Sequence, residues 1–578
     1  MGLSSAINIG RTALQASQLG IQVAGNNMAN AATPGYSRQS LALTPLRGDG
    51  TSIGGSVGLG VQVSDVRRRV DQALEGRLNA SLSDRERTTT LANIMSQVES
   101  ALGELGDNDL SSELSSFFTA WSERSNQSQS VSVVVQQGRK LADFLQSLRS
   151  RIEDQTSQVD RELGAATQEA DSLAAQIANL NGSISIAEGT GSTANTLRDQ
   201  RDQLIAQLSA LVDVSVIDRG QQGVDVLIGS TPVVLGTTSR GIEIRRELED
   251  GQTVYSLQSR TDQTQLTVQS GRIGGLLEAR SDSTGGTIES LDTLAAGVIF
   301  QVNRLHSTGR TRTGITNAGA TLGIPTPDRT LAINNSSNSS FNGLPFAAVN
   351  GGFSVTVRDQ AGGQSRTVRI DVDLDGLTAA GLSGTTDDTS PQDIADAIDA
   401  INGLSASFNA EGKLQIAAEP GFSFNFADDS SGVLAVMGIN SYFTGTDAAT
   451  IAVNGELLAD PTRLSAGRDQ NGVFVENGTA LAITSLQSTG IESLGGRSLT
   501  EYWRDTVQAT GTQTASTNSL AQAAAVVHES LEAQRAAVSG VNIDEESIDL
   551  MNYQRQYQGA ARLISIANEL TQTLLGLV

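Results

Sequence analysis

Nine positions near the start of the chain, Leu3, Ile7, Gly10, Leu14, Ser17, Ile21, Ala24, Met28 and Ala31, are separated alternately by four and three residues. That spacing is a heptad seam, the pattern that lays one α-helix along another. Nine positions at the opposite end of the 578-residue chain repeat it: Leu550, Tyr553, Tyr557, Ala560, Ile564, Ala567, Thr571, Leu574 and Val578. The occupants of the first seam are mostly small, so a partner can approach closely while little area is buried per residue. Arg11 is the sole charged residue up to Ala31, whereas a lone solvated helix carries more charge on its outer face. The segment NNMANAATPGYSR closes this helix, because Pro34 drives the residue before it out of the helical region and Gly35 suits a turn. The second helix reads as starting at Asp544, with Glu545 and Glu546 at its positive end. Leu563, Leu570 and Leu577 run beside its seam and widen the apolar face. Isolated helices of this kind are marginal in water. The two ends are therefore expected to pair as a coiled coil, frayed in a monomer and ordered in an assembly.

Residues 64–212 read mostly as helix. One stretch carries Leu91, Ile94, Val98, Leu102 and Leu105, and a long one runs in step from Leu141 to Leu180. A third is NTLRDQRDQLIAQLSALV, with Leu197, Leu204, Leu208 and Leu211 on one side. At Val212 the period changes to two. VDVSVID, GVDVLIG and PVVLG read as short strands, and IEIRRELEDGQTVYSL as a hairpin turning at Asp250-Gly251. Helix returns over about 286–306. Residues 310–470 are rich in Gly, Ser, Asn and Asp, with strands such as FSVTVRD and RTVRIDVDL and one helix, SPQDIADAIDAI, capped by Ser390 with Pro391 at its first position. From about 477 the chain is helical, with a break near 489–498. The expected fold is α+β and elongated: residues 1–45 with 536–578 form the terminal coiled coil. Residues 46–211 with 270–309 and 471–535 form a helical bundle, 212–269 a small β-rich segment and 310–470 a β-rich outer insert domain.

Composition narrows the chemistry. A net charge of −24 argues against nucleic-acid binding, which needs a basic stripe. Cysteine is absent and only His306 and His528 are available, which leaves little for thiolate, zinc or histidine chemistry. No apolar run approaches a membrane span, and the start carries neither the basic and apolar regions of a secretory signal nor, with Ala6, a myristoylation pattern. Gly54-Gly55-Ser56-Val57-Gly58 matches a nucleophile elbow in letters alone and reads as turn chemistry. Asp371, Asp373, Asp375 and Gly376 open like an EF-hand loop, but Leu382 stands where the bidentate Glu belongs, and a strand with one polar face fits better. Tyr502 and Trp503 read as bundle core or a subunit contact, and Arg67, Arg68 and Arg69 as a solvated, salt-bridged face. The expectation is a chain that is not an enzyme, with no catalytic, cofactor or metal residues.

Two stretches point to a family. Ala29-Asn30 and Thr33-Pro34-Gly35-Tyr36-Ser37-Arg38, after Asn26-Asn27, resemble the N-terminal signature of bacterial flagellar rod, hook and hook-associated proteins. SGVNIDEESIDLMNYQRQYQGAARLISIANELTQTLL resembles their shared C-terminal segment. DQRDQL (Asp199 to Leu204), GLLEAR ending at Arg280 with NRLH closing the next helix, and GINSYFTGTDAATIAVNGELLADPTRLSAG (Gly438 to Gly467) are typical of the hook-associated members and not of hook or rod subunits. The insert at 310–435 matches only loosely. The resemblance implies a structural subunit of the junction between hook and filament; a hook or distal-rod subunit is the alternative, with an enzyme borne on the insert or a non-flagellar adhesin further behind. It implies type III export without a cleaved signal, a place outside the cell in the flagellum, and copies climbing helically in a ring by heterologous contacts. The partners implied are further copies of the chain, hook protein, hook-associated protein 3 and an export chaperone on the C-terminal helix, with no nucleic acid, no membrane insertion and no cofactor. Paired terminal helices would line the export channel. Seam and signature together give the expected interface: Leu3, Ile7, Leu14, Ile21, Met28, Asn30, Thr33, Pro34, Gly35, Tyr36, Tyr553, Tyr557, Ile564, Leu574 and Val578.

Overall fold

The structure is a computed structural model that describes residues 3–46, 58–103, 109–126, 130–189, 193–249, 252–470 and 473–576. It begins with helix α1 (Leu3–Ala29), strands β1 (Gln39–Pro45) and β2 (Val61–Arg68), and helices α2 (Gln72–Leu102), α3 (Leu110–Ser125), α4 (Val131–Glu188) and α5 (Asn195–Leu211). Seven strands follow: β3 (Val214–Asp218), β4 (Val224–Ile228), β5 (Thr231–Leu235), β6 (Thr238–Ser239), β7 (Ile242–Glu249), β8 (Gln252–Ser259) and β9 (Gln265–Leu266). Helices α6 (Gly271–Glu278) and α7 (Gly286–Ser307) lead into β10 (Asn317–Gly319), β11 (Gly351–Asp359), β12 (Ser365–Val372), α8 (Pro391–Asp399), β13 (Leu404–Phe408), β14 (Leu414–Ala418) and β15 (Phe422–Ala427). The remainder is α9 (Val433–Met437), β16 (Phe443–Thr444), β17 (Ala452–Val453), α10 (Gly455–Ala459), β18 (Arg468–Gln470), β19 (Val473–Val475), α11 (Gly478–Ser485), α12 (Leu499–Ser539) and α13 (Ile543–Leu575). The class is α+β, with several small antiparallel sheets beside long helices.

The chain divides into two compact units. One comprises Met1–Ile94, Val159–Ser281 and Ala515–Val578; the other comprises Met95–Gln158 and Asp282–Thr514. In the first unit α1 packs along α13, and the β1–β2 ribbon, bulged between Ala42 and Leu43, lies against α1. Two sheets, β3-β4-β5-β6 and β7-β8-β9, complete it. The buried Asn181 of α4 ties the first of these to the helix: its Nδ2 donates to Val224 O (2.8 Å) and Gly236 O (2.6 Å), and its Oδ1 accepts from Val224 N (3.2 Å). A buried amide so satisfied fixes register more sharply than an apolar residue of the same size.

The second unit has two apolar cores. One gathers Phe117, Phe118 and Trp121 of α3 with Val134, Leu141 and Leu145 of α4, Leu291 to Val302 of α7, Tyr442, Phe443 and Trp503. Phe117, Trp121 and Tyr442 meet at ring separations of 5.5–6.4 Å, the range in which aromatic quadrupoles attract. The other lies between sheets β12-β11-β15 and β10-β14-β13 under α8, with Phe353, Phe424, Phe426, Ile394 and Ile398 fully buried. α8 starts as its sequence requires: Ser390 Oγ accepts from Asp393 N, and Asp393 Oδ2 accepts from Ser390 N, a complete capping box ahead of Pro391.

Several sequence readings change in detail. Residues 64–68 belong to strand β2, not helix. The helical region also holds the aromatic α3, whose Leu110, Leu114, Phe117, Phe118 and Trp121 are buried. The insert holds α9 and α10 besides α8. The cap of α13 is Asn542, whose side chain accepts from Asp544 N, so the helix begins one residue before Asp544. The hairpin of β7 and β8 pairs from Ile242↔Ser259 onward, while its turn at Asp250-Gly251 lies outside the described residues, as do Gly54 to Val57.

Candidate functional site

The two terminal helices meet through glycine. A Cβ on Gly10 would stand 2.7 Å from Ile564 Cγ1, and one on Gly20 would stand 2.6 Å from the Tyr553 ring. Neither distance is sterically open to a methyl group, so the bare backbone of α1 is what lets Tyr553 and Ile564 seat against it. Gly10, Ala16, Ser17, Gly20, Ala24 and Asn27 are the fully buried residues of α1. Three of the nine heptad positions are therefore at the contact itself, while Leu3, Ile7, Leu14, Ile21 and Met28 are half-buried on its flank. On α13 the buried residues are Glu546, Ala560 and Ala567, with Tyr553 and Ile564 half-buried between them. Tyr557 and Leu574 are exposed, and Val578 lies outside the described residues.

A face of α13 beside the α1 contact is apolar and open. Ile548, Met551, Leu563, Ile566, Leu570 and Leu574 are exposed, Ile566 by 56% and Leu570 by 53%. An apolar stripe left open beside a face already packed marks an interaction surface.

The TPGY turn is a polar clamp on this pair. Tyr36 N donates to Thr33 O (3.2 Å), and Gly35 takes φ +79°, a left-handed conformation that favours glycine. Asn30 Nδ2 donates back to Asn26 O (3.0 Å), closing the helix end. Asn30, Gly35 and Tyr36 are half-buried, Thr33 and Pro34 exposed. The turn brings the Tyr36 hydroxyl within 2.9 Å of Asn26 Oδ1 and 2.8 Å of Asn27 Oδ1, either of which can accept its one proton. Asn27 Nδ2 in turn donates to Glu546 Oε2 (3.0 Å) and Gln39 O (2.9 Å). Burial, followed by the charges of Asp199 and Glu546, pushes the Tyr36 pKa up to about 12, so it is a neutral donor.

Arg38 completes the clamp, and sequence reasoning left it out of the interface set along with Asn27 and Glu546. Its guanidinium contacts Glu546 Oε1 (2.6 Å), Glu545 Oε2 (2.7 Å) and Asp549 Oδ2 (3.5 Å), and the backbone N–H of Arg38 donates to Ser539 O (2.9 Å). Burial alone would lower the Arg38 pKa; Glu546 and Glu545 outweigh it and raise it. Glu546 is only 2% exposed, so the Arg38 cation is what offsets the burial of its carboxylate. The acidic start of α13 thus serves the helix dipole and the clamp together.

The DQRDQL motif supports the turn from beneath. Arg68 Nη1 contacts Asp199 Oδ1 and Asp202 Oδ2, each at 2.8 Å, and Ser37 N donates to Asp199 Oδ2 (3.4 Å). The side chain of Arg68 is 11% exposed, which corrects the expectation of a solvated arginine face at that position; Arg67, paired to Asp65, and Arg69 are exposed as expected. The bordering cleft, about 1130 Å³, is lined by Asp65, Arg68, Arg198, Arg201, Asp202 and Asp218 among others. Arg198 is held by Glu188 through two contacts of 2.7 and 2.8 Å, so this cleft wall is built of paired charges.

The remaining motifs are internal braces. Glu278 of GLLEAR accepts from Arg87 (2.9 Å), and Arg280 pairs with Asp160 (2.6 Å) and lies 4.1 Å over the Tyr255 ring. In the second unit, NRLH holds GINSYF. Asn303 Oδ1 accepts from Tyr442 N (2.9 Å) and Phe443 N (2.8 Å). His306 Nδ1 donates to Asn440 O (2.8 Å) while its Nε2 accepts from Ser465 N (3.1 Å). Both nitrogens being used as in a neutral ring, burial holds the His306 pKa down to about 4. His528 is likewise buried, its Nδ1 3.0 Å from Ser81 Oγ, and burial lowers its pKa.

Comparisons with known proteins agree with the sequence reading at both scales. Residues 95–322 match the family described as the flagellar hook-associated protein FlgK helical domain, and residues 533–577 match the flagellar basal body rod FlgEFG protein C-terminal family. Over the full length of both chains, the sequence is 27% identical to flagellar hook-associated protein 1 of Salmonella typhimurium and 25% identical to that of Escherichia coli. The protein of the same name from Bacillus subtilis is 33% identical over 225 residues, 37% of this chain and 44% of its own. A solved structure, the flagellar hook junction protein FlgK from Burkholderia pseudomallei, superposes on 80% of this chain and 100% of its own, with a TM-score of 0.47 and 14% identity. Among the described residues no helix is long and apolar enough to cross a membrane.

Proposed function

We propose that this chain, a member of the flagellar hook-associated protein 1 family, is a structural subunit of the junction between hook and filament. The observation that carries the reading is the open apolar stripe of α13, Ile548 to Leu574, on a helix whose adjoining face is packed against α1. Neighbouring copies are its natural cover, and heterologous contacts between copies close a ring or climb as a helix. The match at 95–322 distinguishes the chain from hook and rod subunits, since the rod-type match is confined to 533–577.

Residues 1–45 with 536–578 act as the assembling domain, lining the export channel. The half-buried Leu3, Ile7, Leu14, Ile21 and Met28, the exposed Thr33 and Pro34, and Tyr557 and Leu574 supply contacts to neighbours. Asn30, Gly35, Tyr36, Tyr553 and Ile564 hold the pair in the shape those neighbours recognise. Hook protein lies to one side of the ring and hook-associated protein 3 to the other. The chain leaves the cell unfolded through the flagellar type III apparatus, with a chaperone covering the α13 stripe beforehand, and carries out no catalysis.

The test is a clean deletion of the gene, read by electron microscopy of the cells and by assay of flagellin in the medium. Hooks without filaments, with flagellin shed to the medium, is the expected result. Loss of hooks would move the chain to the hook or rod class, and normal filaments would overturn the assignment.

A further inference from the structure

The three aspartates that open like an EF-hand do not stay together. Asp371 lies in β12 opposite Gly352, and its carboxylate is drawn off by Arg369 (2.8 Å). Asp373 and Asp375 are joined instead by Asp388, from the far end of the excursion between β12 and α8. One oxygen from each of these three carboxylates lies within 4.8 Å of the others. Like charges at such separations repel, and no Lys or Arg occurs between Asp371 and Ala400 to offset them.

Asp388 makes this more than an acidic surface. It is 5% exposed. Its Oδ2 accepts from Asn334 Nδ2 (2.5 Å) and Gly376 N (3.1 Å), which fixes the carboxylate, while its buried Oδ1 has no hydrogen-bond partner among the described residues. A buried carboxylate oxygen without a donor is costly unless a cation meets it. The excursion is also built to return: Asp373 N donates to Thr389 Oγ1 (2.8 Å) and Thr389 N to Asp373 O (2.8 Å), so its two ends are tied side by side.

We propose that Asp373, Asp375 and Asp388 form a divalent-cation site of the calcium class, a site distinct from the assembly surface. Calcium takes oxygen ligands at about 2.3–2.6 Å and accepts irregular geometry, so it bridges oxygens up to ~5 Å apart. Magnesium demands near-octahedral geometry at about 2.0–2.1 Å and keeps most of its own waters, so three carboxylates from two loop ends suit it less. Two of the three carboxylates are exposed, so water completes the shell and affinity falls in the weak class of extracellular modules, Kd about 0.1–1 mM.

Calorimetric titration of the full chain with calcium chloride tests this. One saturable site per chain is expected. The Asp373→Asn/Asp375→Asn double variant, which alters exposed residues alone, should weaken binding by about tenfold or more. Asp387→Asn/Asp396→Asn removes the same charge nearby and should leave binding essentially unchanged. Absence of saturable binding, binding unaffected by the first pair, or equal weakening by both pairs would overturn the site.

Discussion

At the scale of single residues the clamp rests on Glu546. It is the buried carboxylate of the Arg38 cluster and also accepts from Asn27, 519 positions away in sequence. Glu546→Ala would leave the Arg38 cation without its most buried partner, a change that costs ~3 kcal/mol when a buried pair is broken from one side. Glu546→Gln keeps an acceptor for Asn27 and should cost less. Urea unfolding of the two variants by circular dichroism checks the order; equal losses would mean that packing, not charge, dominates. His306 gives a second prediction. Its folded pKa is lowered from 6.5 to about 4. Above pH 6.5 both folded and unfolded states hold a neutral ring, and the histidine has no effect on pH dependence. Between pH 6.5 and 4 the unfolded chain binds the proton and the folded one does not, so stability falls as pH falls, by up to ~3 kcal/mol in total. A melting series from pH 7 to 4 should show this loss, and His306→Gln should flatten it. A series in which the variant and the parent fall in parallel would assign the loss elsewhere.

At the scale of elements, the α1–α13 pair can be tested by two alanines on one helix. Gly25 of α1 has nothing within 4 Å of where a Cβ would stand, whereas at Gly20 the Tyr553 ring stands in the way. Gly25→Ala should gain up to ~1 kcal/mol of helix propensity. Gly20→Ala gains the same intrinsic term but overpacks the contact, which costs ~1–3 kcal/mol and leaves a net loss at most of that range. Hydrogen exchange of the α1 amides reads both, with slower exchange for the first and faster for the second. In the double variant Gly20→Ala/Tyr553→Ala the second change should cost less than it does alone. The same helix shows what the sequence could and could not disclose. Alternating spacings announce a paired helix at each end, and the strands after Val212 and the Ser390 cap are local signals of the same kind. Which side of α1 faces its partner is not local: Leu14, Ile21 and Met28 look like the seam by hydropathy, yet Gly20 and Asn27 are buried because Tyr553 and Glu546 come to them from the other end of the chain. Likewise Arg68 reads as solvated until Asp199 and Asp202 are brought beneath it.

At the scale of the whole molecule, the question is whether folding of the second unit depends on the assembling ends. Both tryptophans, Trp121 and Trp503, are buried in the aromatic core of that unit, so intrinsic tryptophan fluorescence reports on it alone. Ending the chain after Gln558 removes Ala560, Ile564 and Ala567 from the α1 contact together with Ile566, Leu570 and Leu574 from the open stripe. None of these residues belongs to either core of the second unit. The truncated protein should therefore keep the tryptophan emission maximum and its thermal transition. In α1, Gly10 loses its partner Ile564 while Gly20 keeps Tyr553, so exchange should rise toward the start of the helix more than near Asn27. In a deletion strain the truncated protein should fail to restore filaments. Restored filaments would remove the α13 stripe from the assembly surface. Lost fluorescence structure would show that the second unit folds only with the ends in place, and the failure to assemble would then carry no information about the stripe itself.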